Sequence, residues 1–263
     1  MPARPLARLR LFVALVKFRY HITFISVITG ALLFAPRVEA RLFGELALLY
    51  VTFNVLLYGG IYTMNDIADR ASDVRHPRKR CRPIAAGAVG VPAATCFAIT
   101  LICAGVACGA SVFETGVVAC FVLALAFNLA YSLFGRNRRY LDLLLNSVTH
   151  PTRFLMGTLL VGRVPPATHL LVLMLLAIAL SCLRRQVEKD SPGWRSRQTI
   201  AAYAPSELPR FAFACLMTLL GLIAMLAGEA PGFYAIVGMA VVVAVAGWFE
   251  SPVRKGLREV WTR

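Results

Sequence analysis

Charged residues are scarce in this chain: only 16% of its 263 residues are Asp, Glu, Lys or Arg, and only 13 residues are acidic. Hydrophobic residues make up 59%, and the mean hydropathy is +0.69. A soluble domain needs far more charge on its surface than this. The composition therefore excludes a soluble protein and predicts an integral membrane protein.

The chain also lacks any grouping of cysteine or histidine that would form a disulfide framework or a zinc site. Its seven cysteines are scattered, none forms a Cys-x-x-Cys pair, and most lie in apolar runs. Its four histidines are too dispersed along the sequence to show metal-ligand spacing. We interpret the cysteines as small buried hydrophobic residues.

Long apolar runs dominate the rest of the chain, and each approaches the roughly 20 residues of a bilayer-spanning helix. They predict an all-α, polytopic bundle of eight or nine transmembrane helices around a cytoplasm-facing cavity. We expect a basic amphipathic N-terminal segment in 1–20, a transmembrane domain in 21–250 and a basic cytoplasmic tail in 251–263. The eight runs lie at roughly 21–36, 42–64, 91–112, 115–134, 141–162, 168–187, 208–228 and 232–249.

The net charge of +15 follows the topology, which argues against nucleic acid as the partner. Eight spans would place both termini on one side, and that side would hold 24 of the 28 Lys and Arg residues. The positive-inside rule makes this side cytoplasmic, together with the larger loops 65–90 and 188–207. We expect a protein of the inner membrane whose excess charge contacts anionic membrane lipid and an anionic substrate.

Four polar residues after the second run are spaced for one face of a helix: Asn65, Asp66, Asp69 and Asp73. Side chains three, four and seven residues apart share such a face. Three carboxylates in one row repel each other unless a cation lies between them. Hard oxygen ligands of this kind suit Mg²⁺, which usually also binds oxygens of a substrate phosphate.

A basic loop follows at once and includes Lys79, Arg80 and Arg82. A solvated helix end followed by a positive-inside loop would explain these cations. It would not explain the aspartates, because Asp is a poor helix residue and has no use in topology. The acid row and the basic loop together predict a magnesium–diphosphate site at the membrane surface.

Arg153 lies about 11 residues into an apolar run, where a charge costs several kcal/mol by insertion scales. It either faces a polar cavity and binds a ligand, or pairs with a neighbouring helix. Asp142 lies three turns away along the same run and cannot be its direct partner. Arg136 alone would be explained as a topology charge.

The sixth run ends in Arg184, Arg185 and Glu188. Arg184 and Glu188 are four residues apart, so an ordinary ion pair on a helix surface is one explanation. Arg197, six residues ahead of Tyr203, is either a phosphate-binding residue or another topology charge.

Together these residues resemble the UbiA-type prenyltransferase superfamily, whose first signature is Asn-Asp-x-x-Asp-x-x-x-Asp followed by a basic stretch. Here the signature begins at Asn65 and the basic stretch runs over 76–87. The closer resemblance is to the decaprenyl-phosphate phosphoribosyltransferase branch. Its later motifs correspond to Tyr131, Ser132, Arg136, Asp142, Arg153, Gly157, Arg184, Arg185, Glu188, Arg197 and Tyr203.

The chain departs from the branch at two positions, since Arg136 and Arg184 stand where the branch usually has Lys. Positive charge is kept, but a point-like ammonium becomes a planar fork.

The resemblance implies Mg²⁺-dependent transfer of 5-phosphoribosyl from phosphoribosyl pyrophosphate to a polyprenyl phosphate of the decaprenyl type, as a step toward a lipid-linked arabinose donor. The aspartates of the signature would hold Mg²⁺ on the pyrophosphate, Asn65 would orient it, and the later motif residues would contact substrate. Relatives that use prenyl diphosphates carry a second acidic motif in the later cytoplasmic loop, where this chain is more basic.

Two alternatives remain open. An intramembrane prenyltransferase would use the same acid row to move an isoprenyl group from its diphosphate onto an aromatic or glycerophosphate acceptor. A transporter or lipid-binding membrane protein would need no row of aspartates beside a phosphate-binding loop.

Overall fold

The computed structural model describes residues 5–189 and 198–249, and all regular structure within them is helical. The predicted phosphate contact Arg197 and the predicted tail 251–263 lie outside the described residues. The α-helices are α1 Pro5–Val16, α2 Ile25–Phe34, α3 Ala40–Leu49, α4 Tyr58–Asp73, α5 Val91–Val112, α6 Thr115–Ala130, α7 Leu141–Ser147, α8 Thr149–Leu160, α9 Ala167–Lys189, α10 Gln198–Ala201, α11 Glu207–Leu226 and α12 Pro231–Phe249.

Shorter helical segments join several of these helices. Two are 3₁₀ helices, at Phe18–Phe24 and Lys79–Cys81, and two are π-helical, at Tyr50–Leu57 and Tyr131–Gly135. The first π-helical segment joins α3 and α4 into one long helix. Segments of this kind alter the direction of side chains along a helix and occur often near functional sites.

Six helical stretches within the described residues are long and apolar enough to cross a membrane, so the chain is an integral membrane protein. A shorter apolar helix follows at Pro231–Ala246. The expected number of eight or nine spans stays a prediction. The six stretches are Leu9–Phe34, Ala40–Asp73, Val91–Val112, Thr115–Gly135, Ala167–Lys189 and Glu207–Leu226.

The apolar run 141–162 differs from the continuous span expected of it, because it is divided at Val148 into α7 and α8. Pro151 explains the division. It has no N–H to donate to the carbonyl of Ser147, so the helical hydrogen-bond pattern cannot continue across this point. α7 and α8 are accordingly short, with seven and twelve residues.

The helices group into two compact units. The first comprises the described residues up to 132 together with 152–164, and the second comprises 133–151 with the described residues from 165 onward. In the first unit α4 packs on α1 and α5, around a core that includes Phe53, Phe121 and Met156. In the second unit α9 packs on α7, α11 and α12, around a core that includes Leu143, Cys182 and Leu208.

The N-terminal helix α1 is part of the first unit's packing. Its Leu15 is fully buried and contacts Ile84 and Ala94. The candidate span that includes α1 begins at Leu9, well before the boundary at residue 21 expected from the sequence.

Close contact between α2 and α8 depends on glycine. A Cβ atom added to Gly157 would lie 2.0 Å from the carbonyl oxygen of Val27, and one added to Gly30 would lie 2.4 Å from that of Phe154. Neither position therefore has room for a side chain. Gly157 lies one helical turn after Arg153, so this contact fixes the part of α8 that carries the buried arginine.

Candidate functional site

Two of the predicted metal ligands, Asp66 and Asp73, converge on one cation. They lie two turns apart on α4, and each is only 3% exposed. The guanidinium of Arg82 donates from Nη1 to Asp66 Oδ1 at 3.0 Å and to Asp73 Oδ2 at 2.8 Å. Asp66 and Asp73 thus face the same guanidinium, which belongs to the basic loop after α4.

A second cation reaches the same carboxylate from the junction between α1 and the first 3₁₀ segment. Lys17 Nζ donates to Asp66 Oδ1 at 2.6 Å, and its side chain is 14% exposed. The ammonium lies 6.0 and 5.9 Å from the ring centroids of Tyr20 and Tyr62. Lys17 has a left-handed backbone conformation, φ 57° and ψ 53°, which is costly for a residue with a side chain.

In the sequence, Lys17 belongs to the basic N-terminal segment 1–20, and no separate role was predicted for it. The sequence contained an indication of this contact, because Lys17 is a charged residue that directly follows the apolar stretch 11–16 and precedes Phe18. A lysine between two apolar segments of a membrane helix must reach water or a carboxylate.

Asn65 is held by the second π-helical segment. Ser132 Oγ donates to Asn65 Oδ1 at 2.7 Å, which joins the first signature to the Tyr131-Ser132 motif. Tyr131 itself is half-buried. The structure thus brings these two predicted motifs together within the first unit.

Asp69 lies half-buried on α4 between the two fully buried aspartates, and its carbonyl accepts a hydrogen bond from Ser72 Oγ at 2.8 Å. Within the described residues, no three His, Cys, Asp or Glu side chains form a cluster that could hold a metal. The donor set nevertheless fits a hard cation. Asp66 and Asp73 supply carboxylate oxygens around a point where a positive group already lies.

The basic loop is organised around His76. Its Nδ1 accepts the backbone N–H groups of Arg78 at 3.2 Å and Lys79 at 3.3 Å. Burial, and then the charge of Lys79, lower the pKa of His76 below its usual value. The imidazole is therefore neutral near pH 7, as an acceptor at Nδ1 must be. Lys79 is half-buried and Arg80 is exposed.

Arg153 is buried, as its position in the sequence predicted, and stacks on aromatic rings of the first unit. Its guanidinium carbon lies 4.3 Å from the ring centroid of Tyr58 and 6.0 Å from that of Phe53. The hydroxyl of Tyr58 in turn accepts from Asn128 Nδ2 at 3.3 Å. Contact between a guanidinium and a ring face stabilises a buried arginine. A role of Arg153 in ligand binding stays a prediction.

In the second unit, Arg185 is bound by two carboxylates. It donates to Asp142 from Nε at 2.6 Å and from Nη2 at 2.8 Å, and from Nη1 to Glu188 at 2.7 Å. Arg184 Nε also reaches Glu188 at 3.3 Å, which is the ion pair considered from the spacing. Sequence reasoning missed the pairing of Asp142 with Arg185, because 43 residues separate them and only the packing of α7 on α9 brings them together.

Tyr203 connects segments of the second unit that are distant in sequence. Its hydroxyl accepts the N–H of Tyr140 at 3.0 Å, and its carbonyl accepts from Lys189 Nζ at 2.8 Å. Burial raises the pKa of Tyr203 to about 12, so the phenol stays protonated. The half-buried Arg136 belongs to the same region, where its carbonyl accepts from Thr199 Oγ1.

The chain is similar to curated proteins over part of their length. Nodulation protein NoeC of Azorhizobium caulinodans is 31% identical over 163 residues, which are 59% of this chain and 52% of that protein. Decaprenyl-phosphate phosphoribosyltransferase of Corynebacterium glutamicum is 28% identical over 174 residues, which are 64% of this chain and 52% of that protein. In these alignments the chain spans about half the length of either relative.

The fold has a solved counterpart. A UbiA homolog from Archaeoglobus fulgidus, bound to GPP and Mg²⁺, superposes with a TM-score of 0.76 at 15% sequence identity. The superposition covers 89% of this chain and 84% of that one. A model of the UbiA prenyltransferase family matches residues 23–259, which is most of the sequence. The chain belongs to the UbiA prenyltransferase family.

Proposed function

We propose that this protein transfers 5-phosphoribosyl from phosphoribosyl pyrophosphate to a polyprenyl phosphate and releases pyrophosphate. The observation that carries the proposal is the pairing of both acids near the end of α9 with one arginine. Asp142 and Glu188 each bind Arg185. With Arg184 beside them, this part of the second unit is more basic than the second acidic motif that prenyl-diphosphate users of the family carry, which favours a second phosphorylated substrate.

The relatives support the same choice. Similarity to the Corynebacterium phosphoribosyltransferase reaches across 64% of this chain. Three of the later motif residues that indicate this branch, Asp142, Arg185 and Tyr203, form one connected region of the second unit.

The residues of the first unit would bind the leaving group. Asp66, Asp69 and Asp73 would hold Mg²⁺, and the bound metal would supply positive charge to the diphosphate as it leaves. Lys17 and Arg82, which now lie against the carboxylates, would be close enough to bind phosphate oxygens. Asn65, fixed by Ser132, would orient the diphosphate.

The acceptor needs little activation. A polyprenyl phosphate is already anionic near neutral pH, so its oxygen can attack C1 of the ribose as the C1–O bond to pyrophosphate breaks. The protonated phenol of Tyr203 is no general base at that pH. Cationic side chains that bind the two substrate phosphates would do the remaining work.

The distribution of basic residues supports a cytoplasmic location for this chemistry. The proposed topology has both termini and the loop after α4 on the side that carries 24 of the 28 Lys and Arg residues. Phosphoribosyl pyrophosphate would arrive from the cytosol, and the lipid acceptor from the membrane.

A two-donor assay tests the proposal. Purified protein in detergent receives Mg²⁺, polyprenyl phosphate and an aromatic acid, together with either labelled phosphoribosyl pyrophosphate or labelled isoprenyl diphosphate. We expect label from the first donor to enter the lipid phase and none to be transferred from the second. Prenylation of an aromatic acid, without pyrophosphate release from phosphoribosyl pyrophosphate, would instead establish the prenyltransferase alternative.

A further inference from the structure

The candidate metal site already holds two cations of its own. Lys17 Nζ and Arg82 Nη1 lie 2.6 and 3.0 Å from the same oxygen, Oδ1 of Asp66, and Arg82 also binds Asp73 at 2.8 Å. Two positive side chains thus neutralise two carboxylates. A divalent cation that binds these carboxylates must displace at least part of this arrangement.

The two cations differ in how they reach the site. Arg82 follows α4 in the loop of the first signature, nine residues after Asp73. Lys17 comes from a different helix, 49 residues before Asp66, and lies at the junction of α1 and the 3₁₀ segment. Its left-handed backbone is the conformation in which this ammonium meets Asp66.

A displaced lysine would not remain without a partner when the metal arrives with diphosphate. Phosphate oxygens carry the negative charge that Asp66 would then share with the metal. The ammonium of Lys17 could move a short distance from the carboxylate to a phosphate oxygen, because the lysine side chain has four rotatable bonds. With metal alone, the displaced ammonium would gain no such partner.

We propose that Lys17 is a competing cation that makes metal binding depend on diphosphate. Without metal, Lys17 binds Asp66, a proposed metal ligand. When metal and diphosphate bind together, its ammonium turns to the phosphate oxygens. Binding of the two is therefore positively coupled, and the coupling is reciprocal. This inference rests on the metal–diphosphate part of the proposed function, and not on the choice of donor.

The experiment measures Mn²⁺ binding by electron paramagnetic resonance of the free ion, with and without inorganic pyrophosphate. It uses full-length wild type, Lys17→Met, Lys17→Arg and the control Arg10→Met, which removes an exposed charge from the same helix. We expect Lys17→Met to bind Mn²⁺ alone about tenfold more tightly than wild type, since a nearby like charge is gone. We expect its affinity gain from pyrophosphate to shrink by a similar factor.

The other two variants separate charge from structure. Lys17→Arg keeps the cation and should retain strong coupling, and Arg10→Met should match wild type. Should Lys17→Met fail to fold, Lys17→Gln carries the same test, since its amide can still donate to Asp66 without the charge.

Two outcomes would overturn the inference, and they differ. Unchanged or weaker Mn²⁺ binding by a folded Lys17→Met or Lys17→Gln, with wild type binding Mn²⁺ and pyrophosphate together, would refute the role of Lys17 alone. No Mn²⁺ binding by wild type under any condition would refute the metal site of the proposed function as well. Failure of phosphoribosyl pyrophosphate as donor would leave this result intact, because pyrophosphate is also the leaving group of prenyl transfer.

Discussion

At the scale of single residues, the proposed function depends most on the carboxylates of α4. Asp73→Asn should reduce turnover by about 10²-fold or more, because it removes one anionic ligand from the proposed metal site. The fold should persist, since the amide can still accept from Arg82. Turnover and thermal unfolding are measured together.

Glu45→Gln is the matched control for that substitution, because it removes a half-buried carboxylate whose ion pair is with the exposed Arg41 one turn away. Exposed pairs of this kind contribute little to stability. Equal activity of Asp73→Asn and Glu45→Gln at limiting Mg²⁺ would contradict a metal role for Asp73.

Arg185 carries a different prediction, because its donors are bound by protein carboxylates. Arg185→Ala would leave Asp142 buried without its partner, and loss of one member of a buried ion pair costs about 3–5 kcal/mol of stability. We expect the melting temperature to fall strongly. The double variant Asp142→Leu/Arg185→Met should recover much of that stability, as measured by thermal unfolding.

That pair of variants also separates structure from binding. A stable double variant that stays inactive would assign Arg185 a role in substrate binding besides its structural one. A wild-type melting temperature for Arg185→Ala would show that the ion pair with Asp142 does not hold α7 on α9.

His76 predicts a pH effect. Its pKa is lowered in the folded protein, chiefly by burial and then by Lys79, Arg82 and Arg78, while Asp73 acts in the opposite direction. Between this lowered pKa and its ordinary value of about 6.5, the unfolded chain binds more protons than the folded one. The stability contribution of His76 is therefore complete above about pH 6.5 and declines as the pH falls through that window.

His76→Asn tests this effect, because the asparagine carbonyl can accept the N–H groups of Arg78 and Lys79 without titrating. The melting temperature of the variant should depend less on pH than that of wild type as the pH falls below about 6.5. Identical pH profiles of the melting temperature for the two proteins would show that His76 does not contribute to the pH dependence of stability.

At the scale of helices, Gly157 makes the sharpest prediction. Gly157→Ala places a Cβ atom 2.0 Å from the carbonyl oxygen of Val27, so α2 and α8 must separate. Overpacking of this kind costs about 1–3 kcal/mol or more of stability. It would also displace Arg153, which lies one helical turn before Gly157. We expect lower thermal stability and lower activity.

Gly221→Ala provides the control for a glycine in a helix. A Cβ atom at this position in α11 meets no atom within 4 Å. Alanine is the better helix former, so this variant should be unchanged or up to about 1 kcal/mol more stable. If both variants had the same melting temperature, the close contact of α2 with α8 would not matter for stability.

The helical elements show what the sequence could predict. The row Asn65 to Asp73 was expected on one helix face, and its spacing alone sufficed, since local periodicity fixes which side chains share a face. The division at Val148 was missed although Pro151 was visible, because hydropathy averaged over the run 141–162 conceals a single missing donor. The π-helical segments left no comparable signal.

Partners from distant parts of the chain were beyond the sequence. Arg82 was expected near the aspartates because it follows them closely. Lys17 lies 49 residues before Asp66, and Arg185 lies 43 residues after Asp142. Only the packing of the fold brings the members of each pair together. Arg185 was expected to contact phosphate because its own carboxylate partners could not be identified without the fold.

At the scale of the whole molecule, the distribution of charge predicts the orientation. In a background without native cysteines, Ala71→Cys near the end of α4 should react with a membrane-impermeant thiol reagent only after permeabilisation. Val164→Cys, in an exposed position between α8 and α9, should react from outside intact cells. Labelling of Ala71→Cys from outside would contradict a cytoplasmic donor site.

The donor decides the function of the molecule, and one measurement addresses it most directly. Phosphoribosyl pyrophosphate labelled separately in its 5-phosphate and in its β-phosphate is given to the purified protein with Mg²⁺ and polyprenyl phosphate. We expect the 5-phosphate label to enter the lipid phase and the β-phosphate label to be released as pyrophosphate. We expect Asp73→Asn to abolish both the transfer and the release. If both labels stay in intact donor, phosphoribosyl transfer is refuted.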